Sequence, residues 1–388
     1  MSVSRRAFVQ TLGAGGAGLV SARCFPSSGP GLLESVLEAA ELRPLLLHNN
    51  ENPVGPSSAA IEAMRAIIGP TAIQVGRYPT NKAALIKGIA ARCDVTQDNV
   101  MVACGSTELL RIAVQVFTSK TNHLVTGAPT YEECTGYAEL IHTPVKAVKL
   151  DTRLRLDLGA MDAASNGAGL VYINNPNNPT ATIQPASAIE GFIKDVLKTS
   201  PKTTILVDEA YHDYVTDPAH KSQIPLATQN PRVIVARTFS KAYGMAGLRI
   251  GYVIAHPDTL KVMKKWEATA AMSVLSMGAA IASVNDQAHI PAEAKRNTAA
   301  RQFTLDWFKK AGYDATDSQA NFIFVDIKRP AAAFRDACRA NGVLVGRDFP
   351  PFAQTHTRIS IGTMGEMGKA TDVFGKVLSM ASTAAAAR

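Results

Sequence analysis

Several kinds of site are missing from this 388-residue chain. Its five cysteines, at positions 24, 93, 104, 134 and 338, are odd in number and lack metal-like spacing. They define neither a zinc cluster nor a disulfide framework. The eight histidines are scattered, so no metal site is predicted. The formal charge of +8 includes Arg5, Arg6 and Arg23 near the N-terminus, and no basic run marks a nucleic-acid surface. The small, apolar stretch Thr11–Val20 is too short and glycine-rich to favour a stable membrane span. No internal repeat is visible. What remains is a modest positive excess, suited to drawing in anionic small molecules.

Hydrophobic residues make up 46% of the chain, ample for sizeable cores, and its length suits two domains. Apolar, strand-like runs occur at Val100–Ala103, His123–Thr126, Gly169–Asn174, Thr204–Asp208, Arg232–Ala236 and Arg249–Ile254. Helical patterns lie between them at Glu108–Phe117, Tyr131–Ile141 and Pro185–Lys198. This alternation predicts an α/β fold whose large domain, 75–285, has three layers around a mostly parallel sheet. A smaller α+β domain is expected to join 30–74 to 286–388. Its strands fall at Asn321–Asp326 and Thr357–Ile361, and its helices at Ala292–Ala311 and Ala331–Ala340. The tail Ser382–Arg388 is expected to fray.

Three of these runs deliver reactive groups at their C-terminal ends, where ligands bind in such sheets. Val233–Arg249, VIVARTFSKAYGMAGLR, ends in Ser240 and Lys241, with Arg249 eight positions after the lysine. Thr203–Tyr211, TTILVDEAY, delivers Asp208 and Tyr211, and Leu170–Thr180, LVYINNPNNPT, delivers Asn178. An amine, a carboxylate, an amide, a phenol, a hydroxyl and a guanidinium together suit pyridoxal phosphate. Lys241 can form a Schiff base with the cofactor aldehyde. Asp208 faces the pyridine nitrogen in this reading and keeps it protonated, while Asn178 and Tyr211 hydrogen-bond the phenolic oxygen. Ser240 and Arg249 grip the phosphate, the arginine as a charged fork. Gly105 and Ser106 in Cys104–Leu110, CGSTELL, lead into a helix whose first N–H groups favour a dianion. Tyr131 of APTYE suits stacking on the ring.

The ordered set RYP, GSTE, PTY, NNPT, DEAY, SKAYGMAGLR and RISIGT resembles the fold-type I, class I/II aminotransferases. Within them it is most similar to the histidinol-phosphate aminotransferase subgroup, from about Leu47 to about Thr363. The resemblance implies a homodimer that transfers an amino group between an amino acid-like donor and a 2-oxo acid. Lys241, Asp208 and Tyr211 are then catalytic. Ser106, Thr107, Tyr131, Asn178, Ser240 and Arg249 complete the cofactor site, with Tyr78 reaching in from the partner subunit. Arg358 matches the clamp for the substrate carboxylate. Arg347 and Asn52 are further expected substrate contacts. The subgroup leaves two close alternatives, histidinol-phosphate transamination proper and decarboxylation. A cofactor-binding regulator or silent fold is a third, against which Lys241 stands.

One departure from the family pattern is Ala181, where glycine usually follows Asn-Pro-Thr. If that position needs positive φ, alanine carries a cost. The proline-containing loop Gly342–Phe352 falls where substrate contacts vary. Ser4–Gln10 followed by Thr11–Val20 resembles a twin-arginine export leader over 1–29, with Val20-Ser21-Ala22 as the cleavage site. It implies a periplasmic protein, the alternative being cytoplasmic, and counts against a role in histidine synthesis.

Overall fold

Short β-branched runs, buried along their whole length, dictate the centre of the molecule. The structure, a computed structural model, describes residues 44–71 and 73–386. The expected leader and residues 30–43 lie outside the described residues. The strands are β1 (Leu45–Leu47), β2 (Val100–Ala103), β3 (Leu124–Ala128), β4 (Val145–Lys149), β5 (Leu170–Asn174) and β6 (Thr204–Asp208). They continue as β7 (Val233–Thr238), β8 (Gly251–Ala255), β9 (Asp314–Ala315), β10 (Phe322–Asp326), β11 (Val343–Val345) and β12 (His356–Ser360).

Seven strands form one sheet in the order β2-β8-β7-β6-β5-β3-β4, parallel except for β8. Successive side chains alternate faces. Val171, Ile173, Ile205, Val207, Val233 and Val235 enter one apolar cluster, and Leu170, Tyr172, Leu206, Ile234 and Ala236 the other. Burial of each large aliphatic side chain contributes about 1.5–3 kcal/mol, so the sheet's centre is rigid.

The helices covering these strands are α1 (Ser58–Ile68), α2 (Lys82–Cys93), α3 (Gly105–Phe117), α4 (Glu133–Leu140), α5 (Leu158–Ala164) and α6 (Ala186–Thr199). After them come α7 (Ile224–Gln229), α8 (Pro257–Met263), α9 (Val274–Asn285), α10 (His289–Lys310), α11 (Ala331–Ala340) and α12 (Met364–Ala386). Helix α6 shows why such segments are helical. Its buried Ile189, Phe192, Ile193 and Val196 fall at i, i+3, i+4 and i+7.

A second core gathers Phe308, Phe334, Phe374, Ile323 and Val325 around two small sheets. One is antiparallel, β12-β10-β9, and the other is the parallel pair β1-β11.

The small domain's expected N-terminal part needs correction. Among the described residues of segment 30–74, only β1 joins the small sheets. Helix α1 packs instead on α9, so closely that a Cβ on Gly278 would lie 2.2 Å from Ile67 Cδ1. Helix α12 runs to Ala386, through most of the tail expected to fray. Alanine is the strongest helix former, and its run extends the helix cheaply. Strand β4 escaped the sequence pattern because it is an edge strand, with Lys146 and Lys149 exposed on it. Among the described residues no helix is long and apolar enough to cross a membrane.

Candidate active site

Three adjacent parallel strands, β5, β6 and β7, end together, and register pairs Asn174 with Asp208 and Asp208 with Ala236. Their last residues open into a cleft of about 470 Å³. Ser106, Thr107, Tyr131, Asn178, Asp208, Tyr211, Ser240, Lys241, Arg249, Arg347 and Arg358 all line it.

At the centre, Lys241 Nζ donates to the Asn49 carbonyl at 3.3 Å and lies 5.7 Å from the Tyr211 ring centroid. Burial, reinforced by the Arg358 guanidinium, lowers its pKa to about 8. About a tenth of the amine is therefore neutral at pH 7. Asp208 is buried, and burial raises its carboxyl to about 6. Two donors work against that rise: the Tyr172 hydroxyl at 2.9 Å from Oδ2 and the Ala210 N–H at 3.1 Å from Oδ1. Burial likewise pushes the Tyr211 phenol to about 12, so it stays a donor.

One end of the cleft is an anion grip. Arg249, at φ 55°, sends Nη1 to Ser240 Oγ at 3.3 Å and Nη2 to Thr107 Oγ1 at 3.4 Å. Backbone strain of this kind is held where the surroundings fix it. Close approach is built in. A Cβ on Gly251 would lie 2.1 Å from Ser106 N, and one on Gly105 2.4 Å from Arg249 Nη2.

The other end holds Arg358, on β12. It is buried, donating from Nη1 to Asn178 Oδ1 at 2.8 Å and from Nη2 to the His48 carbonyl. Its Nε is buried without a partner. Burial lowers its pKa to about 10, still far above working pH. Arg347 is different. It is 55% exposed, pairs with the 60% exposed Glu132, and lies 4.5 Å from the Phe349 ring centroid. The Arg358 guanidinium sits 4.9 Å from the same ring.

The turn carrying Asn178 is fixed by its neighbours. Asn178 N–H donates to Asn174 Oδ1 at 2.9 Å, and Ala181 N–H to the Asn177 carbonyl at 2.7 Å. Ala181 has φ 60° and is fully buried, so this position does require the left-handed conformation. An alanine there costs roughly 1–2 kcal/mol relative to an unstrained backbone.

Asn52 does not reach the cleft. Its amide donates to the Ala242 carbonyl at 3.2 Å and its Oδ1 accepts from Val54 N–H, tying down the loop. Asn50, two residues earlier, lines the cleft. Asn50 Nδ2 donates to the Tyr211 oxygen at 3.1 Å, while Ser360 Oγ donates to its Oδ1 at 2.9 Å. The Asn-Asn-Glu-Asn run signalled an amide, but alternation along an irregular loop does not reveal which one turns inward. Tyr172 was missed as well, because a tyrosine inside an apolar strand reads as core. Tyr78 is 81% exposed and lies away from the cleft in the single chain.

An amine on one wall, a buried carboxylate behind it and an anion grip at a helix start fit the aldehyde, ring nitrogen and phosphate of pyridoxal phosphate. Residues 43–374 match the family described as aminotransferase class I and II. The chain belongs to that family.

The chain is 33% identical over 321 residues to a histidinol-phosphate aminotransferase of Moorella thermoacetica, covering 82% of this chain and 81% of the relative. It is 32% identical over 323 residues to an aromatic amino acid aminotransferase of Rhodococcus jostii, covering 82% and 86%. The crystal structure of a histidinol-phosphate aminotransferase from Sinorhizobium meliloti, in complex with pyridoxal-5'-phosphate, superposes with a TM-score of 0.80. That pair is 25% identical, over 92% of this chain and 99% of the other. The aminotransferase is therefore pyridoxal phosphate-dependent and transfers amino groups.

Proposed function

We propose that Lys241 is the catalytic amine of this aminotransferase and that Arg358 holds the α-carboxylate of amino acid and 2-oxo acid substrates. The observation that carries the reading is the convergence of Lys241, Asp208, Asn178, Arg249 and Arg358 on one cleft. Bound pyridoxal phosphate supplies an aldehyde to capture the amino group and a ring to accept the electron pair released at Cα. Lys241, with its lowered pKa, removes the Cα proton and returns it on the cofactor side. Asp208 holds the ring nitrogen protonated. Asn178 and Tyr211 hold the phenolic oxygen, and Ser106, Thr107, Ser240 and Arg249 hold the phosphate. Arg358 lines the cleft, and the fork geometry of its guanidinium suits bidentate recognition of a carboxylate.

Arg347 serves a distal anionic group, which it can reach only by leaving Glu132. A phosphate-bearing donor such as histidinol phosphate is favoured by the name of the Moorella relative, and an aromatic donor by that of the Rhodococcus relative. Mixing the yellow holoprotein with histidinol phosphate, aromatic amino acids, glutamate and phosphothreonine, without acceptor, tests this. Spectral conversion to the amine form of the cofactor by one donor supports transamination and names its class. Carbon dioxide release without conversion replaces it by decarboxylation.

Two further parts belong to this reading. Tyr78, Ile73 and Trp266 are 81%, 61% and 54% exposed, large side chains that a second copy of the chain would cover in a homodimer. Sedimentation as a monomer at micromolar concentration would contradict it. Residues 1–29 act as a twin-arginine leader, delivering a folded, cofactor-loaded enzyme to the periplasm. Replacing Arg5-Arg6 by Lys-Lys should retain the protein in the cytoplasm, and unchanged fractionation refutes export.

A further inference from the structure

Asp208 is a buried carboxylate lining the cleft, and each of its two oxygens accepts from one protein donor. On β6 it ends a strand whose neighbour, β5, carries Tyr172 on the same face of the sheet, two residues before Asn174, the register partner of Asp208. The Tyr172 side chain has no solvent exposure, packed among Leu170, Leu206, Cys134 and Ala138. Its hydroxyl lies 2.9 Å from Asp208 Oδ2, while Oδ1 accepts from Ala210 N–H. Burial and the adjacent carboxylate raise the phenol well above its ordinary pKa, so it is a permanent donor. A buried phenol must bond something, and here its partner is the carboxylate that faces the reaction.

We propose that Tyr172 is a positioning residue for Asp208, holding Oδ2 ionised and aimed so that it meets the ring nitrogen of the bound cofactor. The inference rests on the proposed placement of Asp208 against that nitrogen. Chemistry makes the pairing useful. Desolvation alone favours the neutral carboxyl, which cannot keep a pyridine nitrogen protonated. A donor to the charged form opposes that, and a rigid phenol on a buried strand fixes the rotamer at the same time. Groups that hydrogen-bond the far side of a metal ligand orient it in the same manner.

The test compares binding of two cofactors to the apo-protein by fluorescence titration: pyridoxal phosphate, and an analogue with carbon replacing the ring nitrogen. Wild type should prefer the natural cofactor. Tyr172→Phe should weaken natural cofactor binding about tenfold, the scale of a lost bond to a charged group, and leave the analogue within about twofold. In an Asp208→Ala background, adding Tyr172→Phe should change neither. That double variant also removes both members of the buried pair, so it remains testable if the single variant folds poorly.

Equal weakening for both cofactors, or an undiminished penalty in the Asp208→Ala background, would show a merely structural tyrosine and overturn the proposal. A wild type that binds both cofactors equally would instead remove Asp208 from the ring nitrogen. The underlying reading then fails first.

Discussion

The two ends of the cleft are built from different materials. Around Asp208, Lys241 and Arg249 the groups sit at the ends of buried strands, and backbone contacts near 2 Å from a hypothetical Cβ leave no slack. Around Arg347 the groups are half exposed, on a loop, and paired across the cleft mouth to Glu132. Arg358 stands between the two, on strand β12 but sharing the Phe349 ring with Arg347. A fixed cofactor end and an adjustable substrate end suit an enzyme that must process two substrates in turn with one cofactor. Rigid placement preserves chemistry, and a surface ion pair is cheap to break.

That contrast can be broken or sharpened by substitution. Asp208→Asn at the rigid end should lower kcat about 10³-fold, the scale for losing an electrostatic group at the reacting centre, with folding intact by circular dichroism. A loss below tenfold would remove Asp208 from the reaction. Arg358→Lys keeps the charge but not the fork, and should raise KM for carboxylate substrates at least about tenfold. An equal loss in cofactor affinity would instead assign the arginine to the fixed end.

A pH experiment addresses Lys241 itself. Its folded pKa is lowered to about 8, and only the neutral amine attacks an aldehyde. Cofactor loading of the apo-protein should therefore accelerate about tenfold between pH 7 and pH 9, as the neutral fraction rises through that pKa. A flat profile would contradict the assignment. The smallest effect belongs to the flexible end. Arg347→Ala should change KM for a substrate with a distal anion by about fivefold or less, as an exposed pair is worth about 0–1 kcal/mol. A hundredfold loss would make Arg347 a fixed clamp and erase the difference between the two ends.

The same contrast governs how much could be read from the chain alone. Strand ends were legible because apolar runs and the polar residues closing them are contiguous, and so Asn178, Asp208 and Lys241 meet where their strands end. Positive φ at Ala181 entered only as a condition, from the glycine that usually follows Asn-Pro-Thr in the family, and the backbone there meets it. Residues 49–52 were not resolved to the right amide, since Asn50 is set by Ser360 and Asn321 more than three hundred or two hundred seventy positions away. Tyr172 was hidden for the opposite reason. It looks like core and is core, yet its hydroxyl finds the buried carboxylate of Asp208. Pairing of Arg347 with Glu132 spans 215 positions, and no local pattern encodes it.

The measurement that tests the account most directly is borohydride trapping of the bound cofactor on the holoprotein, followed by peptide mass mapping. The account predicts the added mass on the peptide carrying Lys241, and none in Lys241→Ala. Added mass on a different lysine would contradict it.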